Sequence, residues 1–169
     1  MTDSISPLPQ WRSTVPLYIH LGFTLDHLED GRSQVRLGFQ PHLGNSRGEV
    51  HGGTVAAIID AAMSQAVRSL VDREMGVATM TMTLNYLAPA RGEIICRGSV
   101  VKRGRSVMFT EAEVLGEDGV LACRASANYR ILAKTVYDKN ANDRSTSNQN
   151  ANNQNANKKN VDDMKKVQP

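Results

Sequence analysis

Asp60 stands at the centre of Ala56-Ala57-Ile58-Ile59-Asp60-Ala61-Ala62-Met63, a carboxylate in a run otherwise apolar or small. Burying an ionised carboxylate unpaired costs several kcal/mol, and Asp is a mediocre helix former, so folding alone favours Leu or Ala there. Either the side chain faces a solvated seam or an arginine, or it is a base held for reaction. Just upstream, His51-Gly52-Gly53 places two glycines where a turn delivers the first free N–H groups of a helix, and a ligand can approach them closely. Such an N-terminus attracts anions and polarises a carbonyl whose oxygen becomes negative during attack. From Gly53 to Asp60 the axis rises about 10 Å, too far for both to act on one carbonyl. The spacing therefore predicts that oxyanion donor and carboxylate come from different subunits, two antiparallel copies of the helix meeting across a two-fold axis.

The elements that must hold these residues follow from periodicity and turn signals. Residues 53–71 are long enough for about five helical turns. Between Val55 and Val67 only Asp60, Ser64 and Gln65 are strongly polar, so the helix is apolar almost all round and must be wrapped. Asp30-Gly31, Arg103-Gly104 and Asp118-Gly119 suit the positive φ of hairpin turns. They predict strand pairs 22–28/32–39 and 94–102/105–115, and pairing of 105–115 with 120–131. In residues 79–86, alternation sets Thr79, Thr81, Thr83 and Asn85 opposite Met80, Met82, Leu84 and Tyr86, the methionines reading as core. In the last strand Leu121, Cys123, Ala125, Ala127, Tyr129 and Ile131 share one face. Two strands, one long central helix and four more strands make an α+β fold, the helix wrapped by a six-stranded curved antiparallel sheet.

Composition narrows the function classes. Six of the 20 bases and four of the 17 acids fall after residue 135, which leaves residues 1–135 at +1. A body so nearly neutral speaks against nucleic-acid binding. No stretch approaches the ~20 apolar residues of a membrane span, and Asp3, Pro7, Pro9 and Arg12 stand where a secretory signal has its apolar centre. The expected location is cytoplasmic. Residues 136–169, rich in Asn, Gln, Lys and Ser, read as a disordered tail, with an N-terminal extension over 1–14 and the folded domain over 15–135. Cys96 and Cys123 lack metal-ligand spacing, so no metal site is expected and both read as small buried hydrophobes. No serine nucleophile elbow is expected. Lys102, Arg103 and Arg105 cluster at a hairpin tip and Arg91 follows the Pro89 turn. Such cations either contact phosphates or guard a sheet edge.

Five pieces of the chain, in order, resemble the hotdog-fold acyl-CoA thioesterases, specifically the phenylacetic-acid-degradation (PaaI-like) branch. They are Asn45-Ser-Arg-Gly48-Glu-Val-His51-Gly52-Gly53, then Asp60, then Asn85-Tyr86-Leu87-Ala88-Pro89-Ala90 with Gly92, then Gly104-Arg105, and finally Asp118-Gly119-Val120-Leu121-Ala122. The resemblance covers about residues 15–132. It implies an acyl-CoA substrate, coenzyme A entering with the substrate rather than as a cofactor, and a homodimer with its sites at the interface, often paired to a tetramer. It also implies that Asp60 is general base or nucleophile and that the Gly53 N–H is the partner chain's oxyanion donor. Asn45 would help hold the water or thioester, His51 orient the turn and the carbonyl, and Thr79 stand near the attacking water. A thiol leaves readily, its pKa being near that of Cys, about 8.5, so one base and an oxyanion site suffice. The alternatives are a hotdog (de)hydratase acting on acyl-CoA or acyl-carrier protein, with His51 and Asp60 as acid–base pair, and a non-catalytic acyl-CoA-binding module.

Overall fold

A computed structural model describes residues 15–133. The extension over 1–14 and the whole of the expected tail over 136–169 lie outside the described residues. The chain opens with a short helix, α1 (Pro16–Leu21), closed by Gly22 in the left-handed conformation (φ 74°). Sequence reasoning put the first strand at 22; that cap occupies the position, and β1 begins two residues later. β1 (Thr24–Glu29) and β2 (Arg32–Leu37) form a hairpin whose central residues, Asp30 (φ 41°) and Gly31 (φ 75°), are both left-handed, as a two-residue I′ turn requires. After a 3-10 turn at Pro41–Leu43 comes α2 (Gly52–Arg68), then β3 (Gly76–Tyr86), β4 (Ile94–Arg103), β5 (Val107–Leu115) and β6 (Leu121–Leu132).

The six strands form one antiparallel sheet in the order β1-β2-β4-β5-β6-β3. The hotdog architecture expected from the sequence is the one observed: α2 lies in the curve of the sheet. Its closest approach is over β4. A Cβ on Gly98 would lie 2.7 Å from the carbonyl carbon of Ala62, and the register partner of Gly98, Ser33, donates its hydroxyl to the Ala62 carbonyl at 2.6 Å. Val55, Ile58, Ile59, Ala61, Ala62, Met63, Ala66 and Val67 of α2 are buried.

The wrapping is incomplete. Ala56, Ala57, Asp60 and Ser64 are only half-buried and Gly53 is exposed, so one stripe of α2 at the i, i+3/4, i+7 spacing stays open.

Two further expectations change. Gly104 is not among the glycines of positive φ; it is needed because a Cβ there would collide with the Val107 carbonyl, whose oxygen accepts the Gly104 N–H. In β3 the alternation breaks at a bulge between Thr79 and Thr81, which leaves Met80 55% exposed instead of in the core. The sheet has two edges. β3 is eleven residues long, whereas β1 has six and bulges at Asp26, which Arg36 holds through two bonds of 2.8 and 3.0 Å. Among the described residues no helix is long and apolar enough to cross a membrane.

Candidate active site

Asp60 sits mid-helix on the open stripe of α2, and the sheet reaches up to it. Thr79 and Tyr129 are cross-strand partners on β3 and β6. Thr79 Oγ1 donates to Asp60 Oδ1 at 2.7 Å, and the Tyr129 hydroxyl donates to the same oxygen at 2.9 Å. Hydroxyl donors to a carboxylate form strong, charge-assisted bonds, so the partner of Asp60 is this pair of hydroxyls rather than an arginine. The bulge is what makes the pair. Undisturbed alternation from Met82 and Leu84, which pack on the core, would point Thr79 away from the helix; the extra residue turns it back.

Sequence reasoning missed Tyr129, although the signal was present. It is the one hydroxyl on the otherwise apolar face of the last strand, and a buried phenol needs a partner. Burial, and then the Asp60 charge, push its pKa well above the ordinary tyrosine range, so it remains a donor.

Two helical turns away, the N-terminus of α2 opens on a groove of about 600 Å³ lined by Asn45, Glu49, Gly52, Gly53, Tyr86 and Ala88 among others. The Gly53 N–H is engaged there: it donates to His51 Nδ1 at 2.9 Å, His51 being the N-cap. His51 is exposed, and the first-turn N–H groups of Gly52 and Thr54 carry no hydrogen bond among the described residues. Asn45 lines the groove, yet its amide organises its own loop. Its Oδ1 accepts the Arg47 and Glu49 N–H groups (2.8 and 3.2 Å) and its Nδ2 donates to Glu49 Oε2 (3.3 Å). Tyr86, whose hydroxyl donates to the Gly52 carbonyl at 2.8 Å, is a groove residue rather than core, at 56% exposure.

Glu49 is the other residue the sequence did not single out. Arg47 holds its Oε2 at 3.0 Å and Arg91 its Oε1 at 3.2 Å. The Arg47 and Asn45 bonds in particular hold its pKa below the ordinary glutamate range. Arg91 thus belongs to this ion-pair cluster, in which Glu49 is buried and both arginines are exposed, apart from Lys102, Arg103 and Arg105, which are exposed around the β4–β5 turn. Along the register, Arg103 pairs with Met108, Met108 with Tyr129 and Tyr129 with Thr79. The basic hairpin therefore lies at the sheet end that carries Asp60.

Alternative nucleophiles fail on geometry. Gly44-Asn45-Ser46-Arg47-Gly48 does have the Gly-x-Ser-x-Gly spacing, but a bridge between Gly44 and Val50 closes it into a loop, not a strand-to-helix elbow. Cys96 and Cys123 are fully buried, and burial raises both thiol pKa values, away from reactive thiolate. Among the described residues no group of three His, Cys, Asp or Glu is placed to hold a metal.

Residues 47–123 match the thioesterase superfamily. A Halobacterium salinarum protein that carries an esterase name is 37% identical over 100 residues, 56% of this chain and 66% of that protein. Among solved structures, a conserved protein of Pseudomonas aeruginosa superposes with a TM-score of 0.66 at 30% identity, covering 69% of this chain and 94% of that one. The PaaI protein from the phenylacetic acid degradation operon of E. coli superposes with a TM-score of 0.64 at 15% identity, covering 69% and 85%. At that identity the shared property is the fold.

Proposed function

We propose, on the premise of the thioesterase-superfamily match over residues 47–123, that the chain hydrolyses an acyl-CoA to free acid and coenzyme A at a site built from two copies. The observation that carries this reading is the Asp60 carboxylate, held on an open helix stripe by two hydroxyls and lying two turns from the helix N-terminus at Gly53. Two such stripes meeting antiparallel bring one copy's Asp60 beside the other's Gly53. The long β3 edge supports the same pairing, since an edge of eleven residues that no strand covers among the described residues is a template for another strand. Further pairing to a dimer of dimers and a cytoplasmic location complete the reading.

In the proposed reaction the acyl carbonyl oxygen takes the place of His51 Nδ1 as acceptor of the Gly53 N–H. With Asp60 as base, the water proton moves to the carboxylate and the water oxygen bonds the acyl carbon. The carbonyl electrons collect on the oxygen at the helix N-terminus, where the dipole and N–H groups stabilise them. When they return, the C–S bond breaks and the thiolate leaves with the proton from Asp60. With Asp60 as nucleophile, its oxygen bonds the acyl carbon and expels the thiolate, and water then cleaves the mixed anhydride. Lys102, Arg103 and Arg105, on the Asp60 side of the composite site, suit the coenzyme phosphates.

Thiol release across a panel of aryl, short-chain and medium-chain acyl-CoAs tests the proposal, with Asp60→Asn as control. Hydrolysis that drops by ~10² or more in the variant, with unchanged circular dichroism, is the expected result. Hydration of an enoyl-CoA without thiol release would make the protein a hydratase instead. Binding without turnover would make it a carrier.

A further inference from the structure

Tyr129 is fully buried on β6, where phenylalanine would fill the same space without a hydroxyl to satisfy. Burying that hydroxyl is costly unless it is bonded, and its partners are both on Asp60: Oδ1 at 2.9 Å and the main-chain carbonyl at 3.3 Å. A phenol has one proton to give, and the shorter bond, to the charged oxygen, takes it. Thr79 Oγ1 reaches the same Oδ1 at 2.7 Å. Two donors fill the two lone pairs of that oxygen. Oδ2 accepts no hydrogen bond among the described residues. The two oxygens of one carboxylate are thus made different by the sheet beneath them.

We infer that Tyr129 is a positioning residue which, with Thr79, locks Asp60 through Oδ1 and leaves Oδ2 as the atom that takes the water proton or attacks the acyl carbon. The inference rests on the thioester-hydrolase reading above. Thr79 then acts on the carboxylate itself rather than on the water. Its place on the helix side of β3 depends on the bulge at Met80, and Tyr129 faces it directly in register, so the two hydroxyls converge from neighbouring strands onto one oxygen. A carboxylate freed from that clamp rotates about its Cβ–Cγ bond and loses the near-attack geometry on which rate depends, while substrate contacts elsewhere are untouched.

The test is a kcat against KM comparison, with the acyl-CoA that the wild-type protein turns over fastest, for Tyr129→Phe, Thr79→Val, Thr79→Ser and Asp60→Asn. The expected result is a kcat lower by ~10 to 10²-fold in Tyr129→Phe and Thr79→Val, KM within about two-fold, and recovery in Thr79→Ser, which restores the hydroxyl. Wild-type kcat in Tyr129→Phe, beside an inactive Asp60→Asn, overturns the clamp and leaves the hydrolase reading standing. An active Asp60→Asn removes the hydrolase reading itself. Should Tyr129→Phe not fold, the Thr79 pair decides alone by the same split. Crystal structures of wild type and of the folding variant give a readout free of turnover. A swung or doubled Asp60 rotamer in the variant supports the clamp, and an unchanged single rotamer overturns it.

Discussion

The Gly53 N–H donates to the imidazole of His51 at 2.9 Å, so the helix terminus expected to receive an oxyanion is stoppered by a side chain of its own chain. The imidazole satisfies one of the orphan donors of the first turn. In the proposed reaction it is also the group that the incoming carbonyl oxygen replaces.

His51→Ala separates those roles. Loss of the cap costs about 1 kcal/mol, or roughly 4 °C in Tm, while kcat stays within about tenfold of wild type because the N–H is freed. Calorimetry and thiol release read the two effects. A hundredfold fall in kcat would give the imidazole a part in the chemistry beyond capping.

Gly98→Ala tests the packing of α2 on the sheet. The added methyl would meet the carbonyl carbon of Ala62 at 2.7 Å and its oxygen at 2.8 Å, backbone atoms with no rotamer to yield. Overpacking of this kind costs about 1–3 kcal/mol, seen as a lower midpoint in chemical denaturation. An unchanged midpoint would mean that helix and sheet separate freely.

Replacing Lys102, Arg103 and Arg105 together with Ala should raise KM for an acyl-CoA by about tenfold or more, given ~1.5–3 kcal/mol for a hydrogen bond to a charged group. KM for the same acyl group on N-acetylcysteamine, which lacks the phosphates, should not change. Equal effects on both substrates would remove the hairpin from coenzyme binding.

Glu49 gives a pH signature of opposite sign to a histidine. Arg47 and Asn45 lower its folded-state pKa beneath the ordinary glutamate value of about 4.5. The stability it adds is therefore present above about 4.5 and is lost as pH falls through the lower folded value. The Tm gap between wild type and Glu49→Gln should be open at neutral pH and close in acid. A gap that stays constant down to pH 3 would show that the ion pairs with Arg47 and Arg91 contribute nothing.

Much of this arrangement was legible in the residues. Helix and strand order followed from the apolar run around Asp60 and from Asp30-Gly31 and Asp118-Gly119, because both signals are local. The role of Arg91 was not legible: its carboxylate partner, Glu49, is 42 positions away in sequence, and only the fold brings them together. The inward turn of Thr79 was hidden for a different reason. A bulge leaves no composition mark, so strict alternation sent that side chain to the wrong face. Asn45 shows the limit of motif reading, since its amide is spent within its own five-residue loop.

The unequal borders of the sheet carry a consequence for assembly. The short margin at β1 is kinked at Asp26 and carries Arg36 across it, a poor template for an incoming chain, whereas the margin at β3 is long and straight-sided below its bulge. In the proposed assembly, a ribbon with a single adhesive side joins one twin along that edge, and any further pairing must use another face. Edge-to-edge growth into a filament would then have no second foothold.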